Sequence, residues 1–413
     1  MLSELLDHIL QLCEHLPSSS LSVLLGTSSA LRQKVHDYVT KISGSMTDQD
    51  IAVLVRGPPD TYPQLRSLQL TIRGPAAIFD FAHARLPLLE NLDLSNSKLR
   101  GPAIGYLSQG RWPKLKTLNL ASNKIANDGV SHLRTAEWPL LSSINLSDNR
   151  FEGSAIRLLL CCKCPALQTL CLSNNNLDYG WGELPVSTEW PRLRELVVSR
   201  CHLSHQAARA LSKPMWSYLE TLDLCDNHLY DSAMRELVQA PWPLLKALYL
   251  SGNHLQREGI SFLITGEWPM MEQMYLNNMD LAETALGHLS KAKWPLLKRL
   301  EIGQTKARFG LETISHLINA QWSLLEHLSL SSSNFMATDV VTELSKGEWP
   351  LLKTLQAGLL SLDVSCLFPL ALLLQETVRQ PDGALLLAST LAVCMDVCGS
   401  LQGWKSEVPH RWF

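Results

Sequence analysis

The chain has 413 residues, 46% of them hydrophobic and 18% charged, with a formal net charge of -3. That balance supports a large buried core and gives no global electrostatic case for nucleic acid. Its ten cysteines are scattered rather than set at framework spacings, and a chain this long needs no disulfide staples, so a reducing, cytoplasmic or nuclear setting is expected.

Residues 1–60 read as helices. The start carries Glu4 and Asp7 inside an apolar run and no basic leader, which argues against a secretory signal. Apolar residues recur at Leu2, Leu5, Leu6, Ile9, Leu12 and Leu16, then at Leu21, Leu24, Leu25, Leu31 and Val35. With Glu4, Ser28 and Arg32, this segment is similar to an F-box, the helical motif that docks substrate receptors on a Skp1-type adaptor of a ubiquitin ligase. The resemblance implies adaptor contacts from Leu2, Leu5, Leu6, Ile9 and Leu21. It departs at Ser3, where the motif commonly has Pro, and at Leu31, where an aromatic is common. The competing reading is a helical cap over the first repeat, which solenoids require.

From residue 61 to 357 the sequence is periodic. Trp112-Pro113, Trp138-Pro139, Trp190-Pro191, Trp242-Pro243, Trp268-Pro269, Trp294-Pro295 and Trp349-Pro350 recur in register; Trp216 and Trp322 keep the Trp alone. Leu86-Pro87 and Cys164-Pro165 keep the Pro alone. Steps are 26 residues from Leu86 to Trp294, giving about 12 units. The unit at Trp112 places Leu115, Leu118, Leu120, Asn123, Ile125, Gly129 and Leu133, and the unit at Trp242 repeats this spacing. Strand-like alternation before the Asn gives way to helical spacing after it, so each unit is one short strand, a turn and about two turns of helix. The Pro stops the helix and the Trp is an apolar wedge.

This pattern resembles the leucine-rich repeat family, in its ribonuclease-inhibitor-like class. The resemblance implies an α/β solenoid shaped as a horseshoe, with parallel strands on the concave face and helices on the convex one. It further implies that Asn123, Asn149, Asn175, Asn227 and Asn253 form a buried ladder satisfying backbone groups. Ser97, Cys201, Met279 and Thr305 interrupt that ladder, and local irregularity is expected there.

Residues one period apart lie side by side, so columns describe surfaces. The edge column Arg194, Glu220, Lys246, Glu272, Lys298, Glu326 and Lys353 alternates in sign and reads as register control. The mid-strand column Asp93, Asn119, Asn145, Cys171, Val197, Asp223, Tyr249, Tyr275 and Glu301 faces the expected concavity. Its adjacent tyrosines are of the type that anchors interfaces, the competing reading being an ordinary polar strand face with two incidental tyrosines. A third column, Lys98, Lys124, Arg150, Asn176, His202, His228, His254, Asp280 and Lys306, reads either as a solvated, weakly basic rim or as a rim contacting an acidic partner. A straight row of histidines lacks the closed shell that a zinc site needs, so no metal is expected.

Cys161, Cys162 and Cys164 have no second pair at metal spacing and read as structural. No phosphate loop, nucleophile elbow or HExxH is present. Residues 358–413 lose the period and read as a C-terminal cap followed by an irregular tail. Their longest apolar run, Ala384 to Val397, is interrupted by Asp396 and is shorter than the ~20 residues of a membrane span.

The expectation is a monomeric, non-catalytic scaffold without cofactors, binding a protein partner and neither nucleic acid nor membrane. A ubiquitin-ligase substrate receptor is one alternative. The other comes from the family resemblance: some ribonuclease-inhibitor-like proteins regulate small GTPases.

Overall fold

The computed structural model describes residues 15–17, 40–46, 64–72, 75–178, 190–213, 216–279, 281, 283–303, 311–330, 349–357 and 360–363. They fall in two compact units, one ending at Leu245 and the other starting at Lys246.

In the first unit the strands are β1 (His15–Pro17), β2 (Lys41–Met46), β3 (Ser67–Ile72), β4 (Asn91–Asp93), β5 (Thr117–Asn119), β6 (Ser143–Asn145), β7 (Thr169–Cys171), β8 (Glu195–Val197) and β9 (Thr221–Asp223). Each pairs in parallel with the next. Helices follow the strands: α1 (Pro75–Ala82), α2 (Gly101–Leu107), α3 (Ala126–Leu133), α4 (Ser154–Leu160), α5 (His205–Leu211) and α6 (Asp231–Leu237).

The second unit has parallel strands β10 (Ala247–Tyr249), β11 (Gln273–Tyr275), β12 (Arg299–Glu301), β13 (His327–Leu330) and β14 (Thr354–Ala357), with β15 (Leu360–Asp363) antiparallel to β14. Its helices are α7 (Arg257–Leu263), α8 (Glu283–Leu289) and α9 (Leu311–Ile318). Among the described residues, no helix is long and apolar enough to cross a membrane. An α/β solenoid of stacked strand–turn–helix repeats is therefore the architecture of both units.

The parallel sheet starts before residue 61. Inside the segment expected to be helical, the described stretches are strands, β1 and β2, in register with β3 through Ile42↔Leu68. Only three residues of β1 pair, and Pro17 at its end is tolerated at a sheet edge because it has no N–H to donate.

The core follows the periodic leucines. Leu115, Leu118, Leu120 and Ile125 of one repeat are at most 2% exposed, and fully burying such a side chain contributes ~1.5–3 kcal/mol. The nine register tryptophans are buried as well, and Trp112 stacks on Trp138 with centroids 6.1 Å apart. Helices approach closely at Gly129, where a Cβ would lie 3.1 Å from the Cα of Gly101.

The asparagine ladder is present. Asn175 Oδ1 accepts the N–H groups of Asn149 (2.9 Å) and Phe151 (3.0 Å), while its Nδ2 donates to the carbonyls of Leu146 (3.1 Å) and Leu172 (2.7 Å). Asn227 repeats the arrangement on Cys201, Leu203, Val198 and Leu224. Two of the expected gaps are partly filled. The Ser97 hydroxyl accepts the N–H of Ile72 at 3.0 Å, and the Cys201 thiol donates to the carbonyl of Leu172 at 3.2 Å. Ser97 and Cys201 thus preserve part of the ladder rather than break it.

The residue before each ladder position has positive φ: Asn96, Ser122, Asp148, Asn174, Arg200, Asp226, Gly252 and Asn278, between 51° and 71°. This left-handed step, easiest for Gly, Asn and Asp, turns the N–H toward the neighbouring repeat. Asn96 N–H, for example, donates to the carbonyl of Ala121 at 3.0 Å.

Candidate functional site

Strand register sets the mid-strand candidates in line. In the first unit Asp93 lies opposite Asn119, Asn119 opposite Asn145, then Cys171, Val197 and Asp223 follow. In the second, Tyr249 lies opposite Tyr275 and Tyr275 opposite Glu301. All are half-buried, as expected for the exposed face of a sheet whose other face is core.

The two stretches differ in what these side chains do. In the first unit, Oδ1 of Asp93, Asn119, Asn145 and Asp223 accepts the backbone N–H two residues on, from Ser95 (2.9 Å), Ala121 (3.1 Å), Ser147 (3.0 Å) and Cys225 (2.9 Å) respectively. These are Asx-turns, which close the strand into the following bend. One oxygen or amide edge of each side chain is thus committed to its own backbone.

In the second unit the N–H groups two residues after Tyr275 and Glu301 are capped from the preceding repeat. Ser251 Oγ accepts from Asn277 N–H at 3.0 Å, and Asn277 Oδ1 accepts from Gly303 N–H at 2.6 Å. Tyr275 and Glu301 are thereby relieved of that duty. Tyr249 and Tyr275 stack with ring centroids 4.3 Å apart and planes within 10°. The Tyr275 hydroxyl donates to Gln273 Oε1 at 3.1 Å. Burial and the neighbouring Tyr249 hydroxyl push the Tyr275 phenol up to about 12, so it is a neutral hydrogen-bonding group at physiological pH. Glu301 is steadied by Arg299 (3.1 Å) and by the Asn277 amide (3.0 Å).

Along the rim, Lys98, Lys124, Arg150, His202 and His228 are exposed in the first unit, and His254 is exposed in the second. Lys98, Arg150 and His202 have φ of 54°, 61° and 57°, a conformation that costs a non-glycine residue ~1–2 kcal/mol. His202 Nδ1 lies 3.1 Å from His228 Nε2 with ring centroids 5.3 Å apart. That contact needs one ring to donate and the other to accept. Among the described residues, no group of three or more His, Cys, Asp or Glu side chains is placed to hold a metal.

The cysteine cluster is separate from both surfaces. Burial pushes the Cys162 thiol up to about 12 and the Cys164 thiol up to about 11, which keeps both protonated and weakly nucleophilic. Cys201, inside the ladder, is pushed up to about 12 by the same cause. The adaptor candidates Leu2, Leu5, Leu6, Ile9 and Leu21 lie outside the described residues.

The edge column carries ion pairs at the other end of the strands. Glu90 accepts from both Arg66 and Lys116 at 2.7 Å, which holds its carboxyl below the usual range. Arg194 pairs with Glu220 in the first unit; in the second, Lys298 pairs with Glu272 (2.8 Å) and Lys353 with Glu326 (2.5 Å). Each charge in these pairs meets its opposite on the neighbouring strand, consistent with register control.

Comparison with known proteins agrees with the repeat. A family model described as a leucine-rich repeat matches residues 113–133, one strand–turn–helix unit. Among solved structures, the crystal structure of a TLR13–ssRNA13 complex is similar at a TM-score of 0.48 and 20% identity. The match covers 81% of this chain and 45% of that one, so the chain spans less than half its length. No curated protein matches the chain in sequence. Residues 113–133 thus match a leucine-rich repeat in sequence, and the same buried leucines recur at the equivalent positions of the neighbouring repeats.

Proposed function

We propose that the protein is a non-catalytic scaffold that holds a protein partner on its exposed strand face, with Tyr249 and Tyr275 as the anchor. One observation carries this reading: at Asp93, Asn119, Asn145 and Asp223 this column caps its own backbone, yet Tyr275's turn N–H is capped by Ser251 of the preceding repeat. The pair presents a stacked, half-buried aromatic surface with its rings already ordered, so little conformational entropy remains to be lost on binding. Aromatic residues of this kind dominate interface energetics. Glu301, beside Tyr275, supplies a fixed acid at the edge of the patch.

The basic rim of the first unit is a separate contact surface in this reading. Lys98, Lys124 and Arg150 follow one another along adjacent repeats, ~4.8 Å apart by strand spacing, and suit an acidic stretch on the partner. Contacts of this exposed kind act on association rate and orientation more than on final affinity.

The test starts from proximity labelling with the full chain, followed by affinity measurement for the most enriched protein. The double variant Tyr249→Ala/Tyr275→Ala is expected to bind at least tenfold more weakly while keeping its circular dichroism spectrum. Affinity within twofold of the parent would remove the tyrosine pair as the anchor.

A further inference from the structure

On the helical side of the first unit, an aromatic cluster is left at the surface. Phe79 in α1 is 47% exposed and Tyr106 in α2 is 36% exposed. Their rings meet edge to face with centroids 5.2 Å apart. The His83 ring also packs against Phe79, with centroids 4.7 Å apart, and its Nδ1 lies 2.8 Å from the Phe79 carbonyl. Single exposed apolar residues are ordinary; here three rings in contact through Phe79 bridge two helices.

His83 also lines an adjoining groove, which runs along the chain leaving α1 and α2. Its lining includes the apolar residues Leu86, Pro87 and Pro113. Arg85, Arg111 and Gln109 also line it, and no carboxylate does. Both arginines are exposed, and neither forms an ion pair among the described residues. A helix C-terminus attracts cations within its last turn. Arg85 and Arg111 lie three and four residues beyond Ala82 and Leu107, where α1 and α2 end, so that attraction does not account for them.

We propose that this surface is a second docking site, on the helical side of the repeat, for a linear peptide segment that combines an aromatic residue with flanking acids. The aromatic side chain packs on Phe79 and Tyr106, and carboxylates reach Arg85 and Arg111 as bidentate partners. The charge of the groove chooses this occupant over a basic or purely apolar one. The proposal is independent of the tyrosine anchor, because the residues lie on helices and their following turns rather than on strands.

The test uses the full chain and a fluorescein-labelled synthetic peptide, Glu-Glu-Phe-Glu-Glu, read by fluorescence anisotropy at low and moderate salt. Saturable binding is expected, weakened at least tenfold in Arg85→Glu/Arg111→Glu and at least fivefold in Phe79→Ala/Tyr106→Ala. Tyr249→Ala/Tyr275→Ala is expected to leave it unchanged. The charge-reversed variant should in turn prefer the Lys-Lys-Phe-Lys-Lys peptide, a gain that misfolding cannot imitate. Absence of saturable binding, equal binding by the charge-reversed variant, or no exchange of peptide preference would each overturn the proposal.

Discussion

The mid-strand column is one position of one repeat, yet it does two different jobs. At Asp93, Asn119, Asn145 and Asp223 the side chain folds onto the N–H two residues later and finishes the turn. At Tyr275 and Glu301 the turn is finished by Ser251 and Asn277, one repeat earlier. A repeat can therefore free a column for recognition by moving its capping duty to a neighbouring column. A polar residue on the open face of a strand is thus weak evidence for a site until its backbone contacts are known.

That contrast can be broken at its base by removing a shared scaffold element. Asn227→Ala strips two N–H and two carbonyl groups of their buried partner and is expected to cost ~3 kcal/mol in urea unfolding. A loss under ~1 kcal/mol would show that the ladder is not what holds the turns. Asn277→Ala tests the transferred cap. It uncaps Gly303 and releases Glu301, with an expected cost of ~1.5 kcal/mol and faster amide exchange at Gly303. Unchanged exchange there would deny Asn277 the capping role.

A smaller effect sharpens the other side. Asp223→Ala should cost ~1 kcal/mol by loss of the Asx-turn bond, with no change in partner affinity; a change in affinity alone would make Asp223 a contact residue.

The smallest effect is spectroscopic. The raised Tyr275 phenol should appear as the late step of an ultraviolet tyrosinate titration, near pH 12, absent in Tyr275→Phe. Because its folded value lies above the unfolded one near 10, its contribution to stability is complete below pH 10. That contribution is lost as pH rises through 12. A titration in which Tyr275→Phe removes only a step near pH 10 would contradict the burial of the pair.

Much of the scaffold was legible in the sequence because its signals are local and repeated. Leucines at fixed offsets from Trp-Pro had to share one core, and the Asn that follows them had to serve the turn. The left-handed column was legible in principle, since Asn96, Asp148, Asn174, Asp226, Gly252 and Asn278 are the residue types that tolerate positive φ. It was hidden by the neighbouring ladder, which explains similar residues differently. The division of the mid-strand column was not legible. Asp and Asn suit both an Asx-turn and a binding face, and the release of Tyr275 depends on Ser251, a residue in the neighbouring repeat. The strands at His15–Pro17 and Lys41–Met46 were missed because the first is three residues long and the second, KISGSM, lacks clear alternation. Phe79 and Tyr106 fall on the helical side, outside the columns that periodicity emphasised.

The most direct measurement compares affinity for the enriched partner in two double variants, Tyr249→Ala/Tyr275→Ala and Asp93→Ala/Asn119→Ala, alongside urea unfolding of each. Loss of at least tenfold in affinity for the tyrosine variant, and loss of stability without loss of affinity for the capping variant, is the predicted result. Affinity lost in the capping variant and kept in the tyrosine variant would contradict the account.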